Sequence, residues 1–319
     1  MSQVEVVQVS PLMPEPQQAL EAAFTVHRCY GAADREAVLG SLAGRARAVA
    51  GGGASVDAAF IDALPRLEII ANLGVGYDAV DAAYAGRKGV VVTNTPDVLT
   101  DEVADLTLGL ILATVRRLPQ ADRYVREGRW PKAPFPLTGS LRGRTIGILG
   151  LGRIGKAIAT RCAAFGVPVA YYGRRRQPDV VYTYHPTLPA LAAAVDVLVV
   201  VAPGGAETRG IVDAQVLRAL GPDGILINVG RGSVVDEPAL VAALQDGTIA
   251  AAGLDVFAHE PHVPAELIAL DNVVLLPHVG SASVATRNAM SQLVVDNLIN
   301  WFAGRGPVTP VAETPWPPS

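Results

Sequence analysis

The stretch from Thr145 to Gly155 reads Thr-Ile-Gly-Ile-Leu-Gly-Leu-Gly-Arg-Ile-Gly, an apolar run that ends in the pattern Gly-x-Gly-x-x-Gly. The apolar run is typical of a buried strand, and apolar residues at helical spacing follow the last glycine. In such a turn the first glycine permits the sharp bend, the second lets the backbone approach a pyrophosphate, and the third lets helix pack on strand. The stretch therefore predicts a dinucleotide-binding unit, with the phosphates at the positive end of the helix.

The composition of the 319-residue chain limits the classes of protein that it can encode. Half of the residues are hydrophobic and 18% are charged, which suits an α/β protein with buried parallel strands. The net charge of -4 gives no general reason to bind nucleic acid or an anionic membrane surface, and the apolar runs are too short to span a bilayer. The cysteines, Cys29 and Cys162, lack metal-ligand spacing, and the N-terminus has no signal-peptide pattern, so a cytoplasmic location is predicted.

Two series of alternating strand and helix patterns predict an α/β protein with two Rossmann-like domains, parallel sheets and an active site in the interdomain cleft. Residues 1–98 with 288–319 are predicted to form a discontinuous, flavodoxin-like substrate-binding domain, and residues 99–287 a dinucleotide-binding Rossmann domain. The predicted strands are Val4–Val9, Thr25–Arg28, Ala48–Ala50, Leu67–Asn72 and Val90–Thr93 in the first series, and Thr145–Leu149, Val167–Tyr172, Val197–Val201, Ile225–Val229, Ala250–Leu254 and Val273–Leu276 in the second.

Several connecting segments also have predicted structures. Asp34–Leu42 is predicted to be helical, Thr100–Leu118 to be one amphipathic helix, and Ser283–Phe302 to be a last helix that packs on the first domain. Gly128–Gly139 is predicted to be a connecting arm, and Tyr182–His185 a surface loop.

Three titratable or charged residues stand just beyond predicted strands of the second series, namely Arg231, Asp255 and His278. In a doubly wound sheet these strand ends line the crevice that binds ligands. Reduction of a ketone by a nicotinamide needs a proton donor, which His278 suits because histidine changes charge near neutral pH. Glu260, on the loop before the last strand, would stabilise the imidazolium. Arg231 would hold an acid substrate and polarise its keto oxygen.

Each of these residues also has a simpler interpretation when it is taken alone. A histidine after a strand is commonly structural, an arginine there commonly forms a surface ion pair, and a loop glutamate is commonly solvated. Their shared position at strand ends of a dinucleotide-binding domain favours the catalytic interpretation of all three.

The loop after the second strand of the Rossmann domain bears on the choice of nicotinamide. Enzymes that use NAD place Asp or Glu there to bind the ribose 2′-hydroxyl. This chain instead has Gly173-Arg174-Arg175-Arg176, with no acidic residue from Tyr171 to Gln177. Arginines suit a 2′-phosphate, although a solvated basic loop would look the same. NADPH is the predicted cofactor, and NADH is predicted to bind more weakly.

Four motifs in order resemble those of the D-isomer-specific 2-hydroxyacid dehydrogenases, and the resemblance covers essentially the whole chain. They are Leu-Gly-Leu-Gly-Arg-Ile-Gly at 149–155, Asn-Val-Gly-Arg-Gly at 228–232, Gly-Leu-Asp-Val-Phe at 253–257 with Glu-Pro at 260–261, and Leu-Pro-His-Val-Gly-Ser at 276–281. The chain looks most like the NADPH-dependent glyoxylate/hydroxypyruvate reductase and hydroxyphenylpyruvate reductase branch. The resemblance implies reduction of small 2-keto acids, such as glyoxylate, hydroxypyruvate or phenylpyruvate-type acids, to D-2-hydroxy acids.

The resemblance also implies roles for individual residues. His278 is implied as acid/base, Glu260 as its partner and Arg231 as substrate binder. The backbone N–H groups of Val75 and Gly76 are implied to bind the substrate carboxylate, and Ser281 is implied as a further substrate-binding residue. Residues implied at the cofactor are Gly150, Gly152, Arg153, Ile154, Gly155, Gly173, Arg174, Arg175, Ala202, Pro203, Val229 and Asp255, the last of which would also shape the site.

The expected partners are a small keto acid and a second copy of the chain. The resemblance implies a homodimer built through the nucleotide domains, in which Trp130 and Phe135 on the connecting arm form an apolar wall near the partner's substrate site or simply pack the dimer. No metal is predicted, because the pair His259 and His262 lacks a third ligand.

Other functions share this fold and stay open at this point. One is a dinucleotide-sensing protein like the corepressors of this fold, which can retain the same three residues. A phosphite or a phosphoglycerate dehydrogenase is a second type, although no further domain follows Ser319 in this sequence. Formate dehydrogenases have Gln where this chain has Glu260, which argues against that activity.

Overall fold

The computed structural model describes residues 3–32 and 35–317, and the chain divides into two compact units. One unit is Met1–Leu99 with Ser283–Ser319, and the other is Thr100–Ala282. The second boundary lies five residues before the predicted one, because Ser283 caps the final helix by accepting a hydrogen bond from the Thr286 N–H. The whole helix therefore belongs to the first unit. The predicted helix start at Asp34 lies outside the described residues.

The first unit is built on a five-stranded parallel sheet. The strands are β1 (Glu5–Gln8), β2 (Thr25–Arg28), β3 (Ala46–Gly51), β4 (Ile69–Asn72) and β5 (Val91–Thr93), in the spatial order β2-β1-β3-β4-β5. This order is that of flavodoxin-like sheets. Helices α1 to α4 are Pro14–Ala23, Arg35–Leu42, Ala58–Asp62 and Ala82–Arg87. The inner strands are apolar on both faces because helices cover both sides of the sheet.

The second unit is built on a seven-stranded parallel sheet. The strands are β6 (Ile146–Leu149), β7 (Val169–Tyr172), β8 (Thr183–Tyr184), β9 (Val197–Val200), β10 (Ile225–Asn228), β11 (Ala251–Leu254) and β12 (Val273–Leu275), in the order β12-β11-β10-β9-β6-β7-β8. The strand order reverses between β6 and β9, so the glycine-rich turn after β6 lies at the topological switch point where ligands bind in such sheets.

The remaining helices complete the two units. Helices α5 to α11 are Thr100–Val115, Leu118–Arg126, Arg153–Ala164, Leu188–Ala192, Ala214–Leu220, Glu237–Gln245 and Ala265–Ile268, and α12 is Val284–Phe302. Helix α12 packs on the first sheet through Val294, Val295 and Leu298. Within the described ranges, none of these helices is both long enough and apolar enough to span a membrane.

Two local predictions are wrong. The predicted single helix Thr100–Leu118 ends at Val115, because Arg117 adopts a left-handed conformation (φ 52°), and a separate helix, α6, begins at Leu118 with Pro119 in its first turn. The predicted surface loop Tyr182–His185 contains β8, which extends the sheet by pairing Thr183 with Ala170 and Tyr184 with Tyr171. A two-residue strand has too few residues to show an alternating pattern.

Candidate active site

The three glycines of the turn between β6 and α7 differ in what surrounds them. Gly150 has φ 101°, and a Cβ there would lie 2.9 Å from the Ala202 Cα. A Cβ on Gly155 would overlap the Gly150 carbonyl oxygen, so this glycine is required for close packing of helix on strand. A Cβ on Gly152 would meet only open space. The turn is therefore closed on its protein side and open at Gly152, which fits a phosphate-binding cradle.

Helix α7 begins at this open glycine. Gly152 is its N-cap and supplies no side-chain acceptor, and Arg153 and Ile154 form the first turn, where helical N–H groups lack intrahelical acceptors. A twelve-residue helix adds its dipole to these N–H groups, so its start attracts an anion.

The neighbouring strand ends close around the turn. Ala202 and Pro203 follow β9, and Val229 follows β10 with its N–H donated to the Val200 carbonyl at 3.1 Å. A Cβ on Gly230 would lie 2.8 Å from the Ala202 carbonyl oxygen, which explains a glycine at this position. The predicted cofactor residues of β6, β9 and β10 thus occupy one edge of the sheet.

The arginine loop follows β7 on the other side of β6. Gly173 is half-buried, whereas Arg174, Arg175 and Arg176 are exposed. The loop ends at Gln177, whose side-chain amide donates to the Leu151 carbonyl at 2.7 Å. The arginines are thus joined to the glycine-rich turn by a residue that the sequence analysis did not single out.

His278 and Glu260 form a direct pair. The Nδ1 atom of His278 lies 2.6 Å from Glu260 Oε2, and the Phe257 N–H donates to Glu260 Oε1 at 3.0 Å. The histidine side chain is 45% exposed and the glutamate 33%. Because Nδ1 is hydrogen-bonded to the carboxylate, Nε2 is the ring atom that can exchange a proton with a substrate. The predicted acid/base pair is therefore assembled although eighteen residues separate its members.

Asp255 holds the segment that carries His278. The His278 N–H donates to the Asp255 carbonyl at 2.8 Å, and the Asp255 carboxylate accepts from the N–H groups of Val279 (2.7 Å) and Gly280 (2.8 Å). These bonds hold His278 at φ 54°, a left-handed backbone conformation that residues other than glycine rarely adopt. Burial raises the pKa of Asp255, and the two backbone donors act in the opposite direction. Both carboxylate oxygens accept hydrogen bonds from this segment, so Asp255 fixes the backbone that follows His278.

Arg231 lies in a turn that Asn228 organises. The Asn228 side chain accepts from the Gly230 N–H at 3.1 Å and donates to the Arg231 carbonyl at 3.0 Å. The guanidinium Nη1 donates to the Gly230 carbonyl at 2.8 Å, and the side chain is half-buried. A Cβ on Gly232 would overlap the Phe257 backbone, so the turn packs against the loop that leads to Glu260. Asn228 is a second residue that sequence analysis left without a role.

Arg231, Asp255 and His278 follow β10, β11 and β12, which are neighbours in the sheet. The three thus share one edge of the second unit. Ser281 lies in the next turn, in which the Ala282 N–H donates to the Val279 carbonyl at 2.9 Å. In the described residues, no cluster of three or more His, Cys, Asp or Glu side chains could hold a metal ion.

The loop that contains Val75 and Gly76 belongs to the first unit and is held by side-chain amides. Asn72 Nδ2 donates to the carbonyl oxygens of Gly74 (3.2 Å) and Gly76 (3.1 Å), and Asn94 Nδ2 donates to the Val75 carbonyl (2.9 Å). Three successive carbonyls are thus occupied by donors of the protein. This arrangement suits a loop whose N–H groups bind an anion.

Two parallel α/β sheets, a glycine-rich turn at a switch point and a His–Glu pair at strand ends define a dinucleotide-dependent dehydrogenase. Residues 108–280 match the family model described as D-isomer specific 2-hydroxyacid dehydrogenase, NAD binding domain. The chain belongs to the D-isomer specific 2-hydroxyacid dehydrogenases.

Individual relatives are similar over nearly the full length. Glyoxylate/hydroxypyruvate reductase A HPR2 of Arabidopsis thaliana is 49% identical over 98% of this chain and 100% of its own length. Hydroxyphenylpyruvate reductase of Plectranthus scutellarioides is 48% identical over the same shares. The crystal structure of the NADPH-dependent glyoxylate/hydroxypyruvate reductase of Sinorhizobium meliloti, in complex with NADP and malonate, is 53% identical, with a TM-score of 0.94 and 98% of each chain covered.

Proposed function

We propose that the protein reduces small 2-keto acids to D-2-hydroxy acids with NADPH. The observation that carries this proposal is the His278–Glu260 pair at 2.6 Å, at the edge of the sheet whose switch point holds the glycine-rich turn. The names of the similar reductases, which act on glyoxylate, hydroxypyruvate and hydroxyphenylpyruvate, support this substrate class.

The roles of the residues follow from their chemistry. When bound, the nicotinamide supplies the hydride to the keto carbon. His278 donates the proton to the keto oxygen from Nε2, and Glu260 orients the ring and stabilises its protonated form. Arg231 binds the acid substrate and polarises the keto oxygen. The N–H groups of Val75 and Gly76 bind the substrate carboxylate, and Ser281, three positions after His278 in the sequence, supplies a further substrate contact.

NADPH is proposed over NADH because of the exposed arginines. Arg174 and Arg175 follow β7, where an acidic residue would favour the ribose 2′-hydroxyl. The similar enzyme from Sinorhizobium meliloti, named NADPH-dependent and crystallised with NADP, supports this choice. Gly150, Gly152 and Gly155 with the first turn of α7 would hold the pyrophosphate.

We also infer a homodimer and a reducing, cytoplasmic compartment. Helix α6 and the arm that follows it expose Leu118, Val125, Trp130 and Leu137 within twenty residues, and a second copy of the chain would cover them. Cys29 and Cys162 are both unpaired and buried, which suits a compartment without disulfide formation.

The experiment that tests the function is a nicotinamide absorbance assay with purified protein. Glyoxylate, hydroxypyruvate, phenylpyruvate and 2-ketogluconate are each supplied with NADPH and, separately, with NADH; the last is included because a 2-ketogluconate reductase is 41% identical. Oxidation of NADPH with a higher kcat/KM than that of NADH, on at least one acid, is expected. Cofactor binding without turnover on any of the four would contradict the proposal and favour a dinucleotide-sensing protein.

A further inference from the structure

The loop with Arg174, Arg175 and Arg176 is attached to the protein at its end by two hydrogen bonds. The Gln177 N–H donates to the hydroxyl oxygen of Tyr171 at 2.7 Å, and the Gln177 side chain donates to the Leu151 carbonyl at 2.7 Å. The first bond connects the loop to the strand that precedes it. The second connects it to the glycine-rich turn, in which Leu151 lies between Gly150 and Gly152.

The acceptors of both bonds are themselves fixed. Tyr171 is fully buried on β7, and its ring lies 5.3 Å from that of Tyr184 on β8. Leu151 is 3% exposed, so its carbonyl belongs to a packed turn. The short strand β8 thus has a packing role, because it places Tyr184 against the tyrosine that holds the loop.

The fixed ends of the arginine loop affect how tightly its side chains can bind a phosphate. Arginine side chains on an unattached loop lose backbone and side-chain freedom when they bind a phosphate, and this loss weakens the complex. A loop already held on both sides loses less freedom. The contribution is specific for the 2′-phosphate, because a cofactor without that phosphate does not need the arginines.

We propose that Gln177, supported by the Tyr171 hydroxyl, is a positioning residue for 2′-phosphate recognition: it links the arginine loop to the glycine-rich turn. This inference rests on the proposed use of NADPH. Gln177 does not itself bind the phosphate; it sets where Arg174 and Arg175 stand relative to the turn that holds the pyrophosphate.

Two substitutions remove the two bonds with little change in volume. Gln177→Met removes the side-chain donor to Leu151, and Tyr171→Phe removes the hydroxyl that accepts from the Gln177 N–H. Gln215→Met is the matched control, since Gln215 is exposed on α9 and its side chain is remote in sequence from both loops. Thermal unfolding of each variant verifies that it is folded.

The first readout is binding in the absence of turnover. Adenosine 2′,5′-bisphosphate and adenosine 5′-monophosphate are titrated calorimetrically into each protein. The Gln177→Met variant is expected to bind the bisphosphate about tenfold more weakly, equivalent to about 1.4 kcal/mol, and the monophosphate within about twofold of the wild type. Tyr171→Phe is expected to show the same pattern to a smaller degree, and Gln215→Met is expected to show neither effect.

The second readout is the steady-state reaction. Gln177→Met is expected to raise KM for NADPH about tenfold, with KM for NADH and kcat at saturating NADPH nearly unchanged. Equal weakening of both nucleotides would overturn the inference, because it would mean that Gln177 only maintains the turn. Unchanged binding of both would also overturn it.

The wild-type protein separates this inference from the proposed cofactor preference. If the wild type binds the bisphosphate no more tightly than the monophosphate, the proposed NADPH preference fails, and this inference fails with it. If the wild type prefers the bisphosphate and Gln177→Met retains the full preference, only the role of Gln177 is refuted.

Discussion

At the scale of single residues, His278 depends on contacts to both its backbone and its ring. Its ring is oriented by Glu260, and its left-handed backbone conformation is held by Asp255 through the segment that follows. A general acid must present its proton at a fixed position, so under the proposed role of His278 these contacts would serve catalysis as well as the fold.

Replacing His278 by Gln is expected to lower kcat by roughly 100- to 10,000-fold, the usual contribution of a positioned general acid. The NADPH dissociation constant should stay within about twofold, because the histidine follows β12 whereas the glycine-rich turn follows β6. Stopped-flow turnover and fluorescence titration of NADPH measure the two quantities. The control is His262→Gln, because His262 is exposed and lies close to Glu260 in the sequence. This variant should turn over normally. Full activity of the His278 variant would remove the proposed acid/base role.

At the residue scale, the sequence predicts where several candidate site residues lie, whereas their roles stay predictions. The sequence alone was enough to predict that Arg231, Asp255 and His278 follow buried strands, because each strand is a short run of mostly apolar residues. The positive φ of His278 and the contacts of Asn228 and Gln177 could not be predicted. They depend on how turns from distant parts of the sequence meet, and amide side chains give no pattern in the sequence.

At the scale of elements, two glycines of the glycine-rich turn have different roles: Gly155 is needed for packing, and Gly152 is the one expected to matter for cofactor binding. Gly155→Ala places a methyl group against the Gly150 carbonyl, and a rigid backbone neighbour leaves no room for relaxation. A loss of about 3 kcal/mol in the free energy of unfolding is expected. Gly152→Ala places its methyl group in open space with φ -81°, so stability should change by less than about 1 kcal/mol.

The effects on cofactor binding should differ from those on stability. Gly152→Ala, which leaves the fold intact, is the substitution expected to impair binding. Gly152→Ala is expected to weaken NADPH at least tenfold, because the methyl group occupies the space that the pyrophosphate needs. Urea unfolding and fluorescence titration of NADPH together make the comparison. A Gly152→Ala variant that binds NADPH as the wild type does would show that the cradle has been placed wrongly.

The C-terminal tail is a second element with a testable contact. The Tyr77 hydroxyl, on the loop of the first unit that contains Val75 and Gly76, donates to Glu313 at 2.9 Å. Burial and the Glu313 carboxylate raise the pKa of Tyr77 to about 12, above the ordinary 10.0. Because the folded pKa is the higher one, this contribution to stability is complete below about pH 10 and is lost as the pH rises through about 12.

Glu313→Gln keeps an acceptor for the tyrosine but removes the negative charge, so the pKa of Tyr77 is expected to fall towards its ordinary value. The tyrosinate absorbance of the folded protein, titrated between pH 8 and 12.5, measures this shift, and Tyr77→Phe identifies which of the eight tyrosines is responsible. An unchanged titration in Glu313→Gln would contradict the tail contact.

The elements themselves were predictable to different degrees. Eleven strands were predicted near their observed positions, most of them from short apolar runs, whereas β8 was missed because Thr183 and Tyr184 form no run. The end of α5 was also missed. The end of α5 at Val115 comes before Pro119, the helix-breaking residue that the sequence shows, and it depends on the left-handed conformation of Arg117, which is visible only in the folded chain.

At the scale of the whole molecule, a monomer would expose the apolar surface of α6 and the arm to water. Leu118, Val125 and Trp130 are at least half exposed, and Leu137 is fully exposed. Full burial of an exposed large apolar side chain contributes about 1.5–3 kcal/mol, so a second copy that covers the half-exposed side chains would gain roughly half of that from each. Trp130 lies on this surface, while Phe135 packs edge-on against Tyr124 at 5.3 Å and so stiffens the arm.

The proposed dimer predicts a solution mass of twice 33.2 kDa, or 66.4 kDa, by light scattering coupled to size exclusion. Val125→Asp places a charge in the covered surface and is expected to shift the mass towards 33.2 kDa at low micromolar concentration, since burying an unpaired carboxylate is costly. Val181→Asp is the matched control, because Val181 is 96% exposed but lies on a different segment. A wild-type mass of 33.2 kDa, or equal masses for the two variants at the dimer value, would mean that α6 and the arm do not form the interface. In the first case the exposed side chains would need another partner, and in the second the dimer would have to use a surface away from Val125.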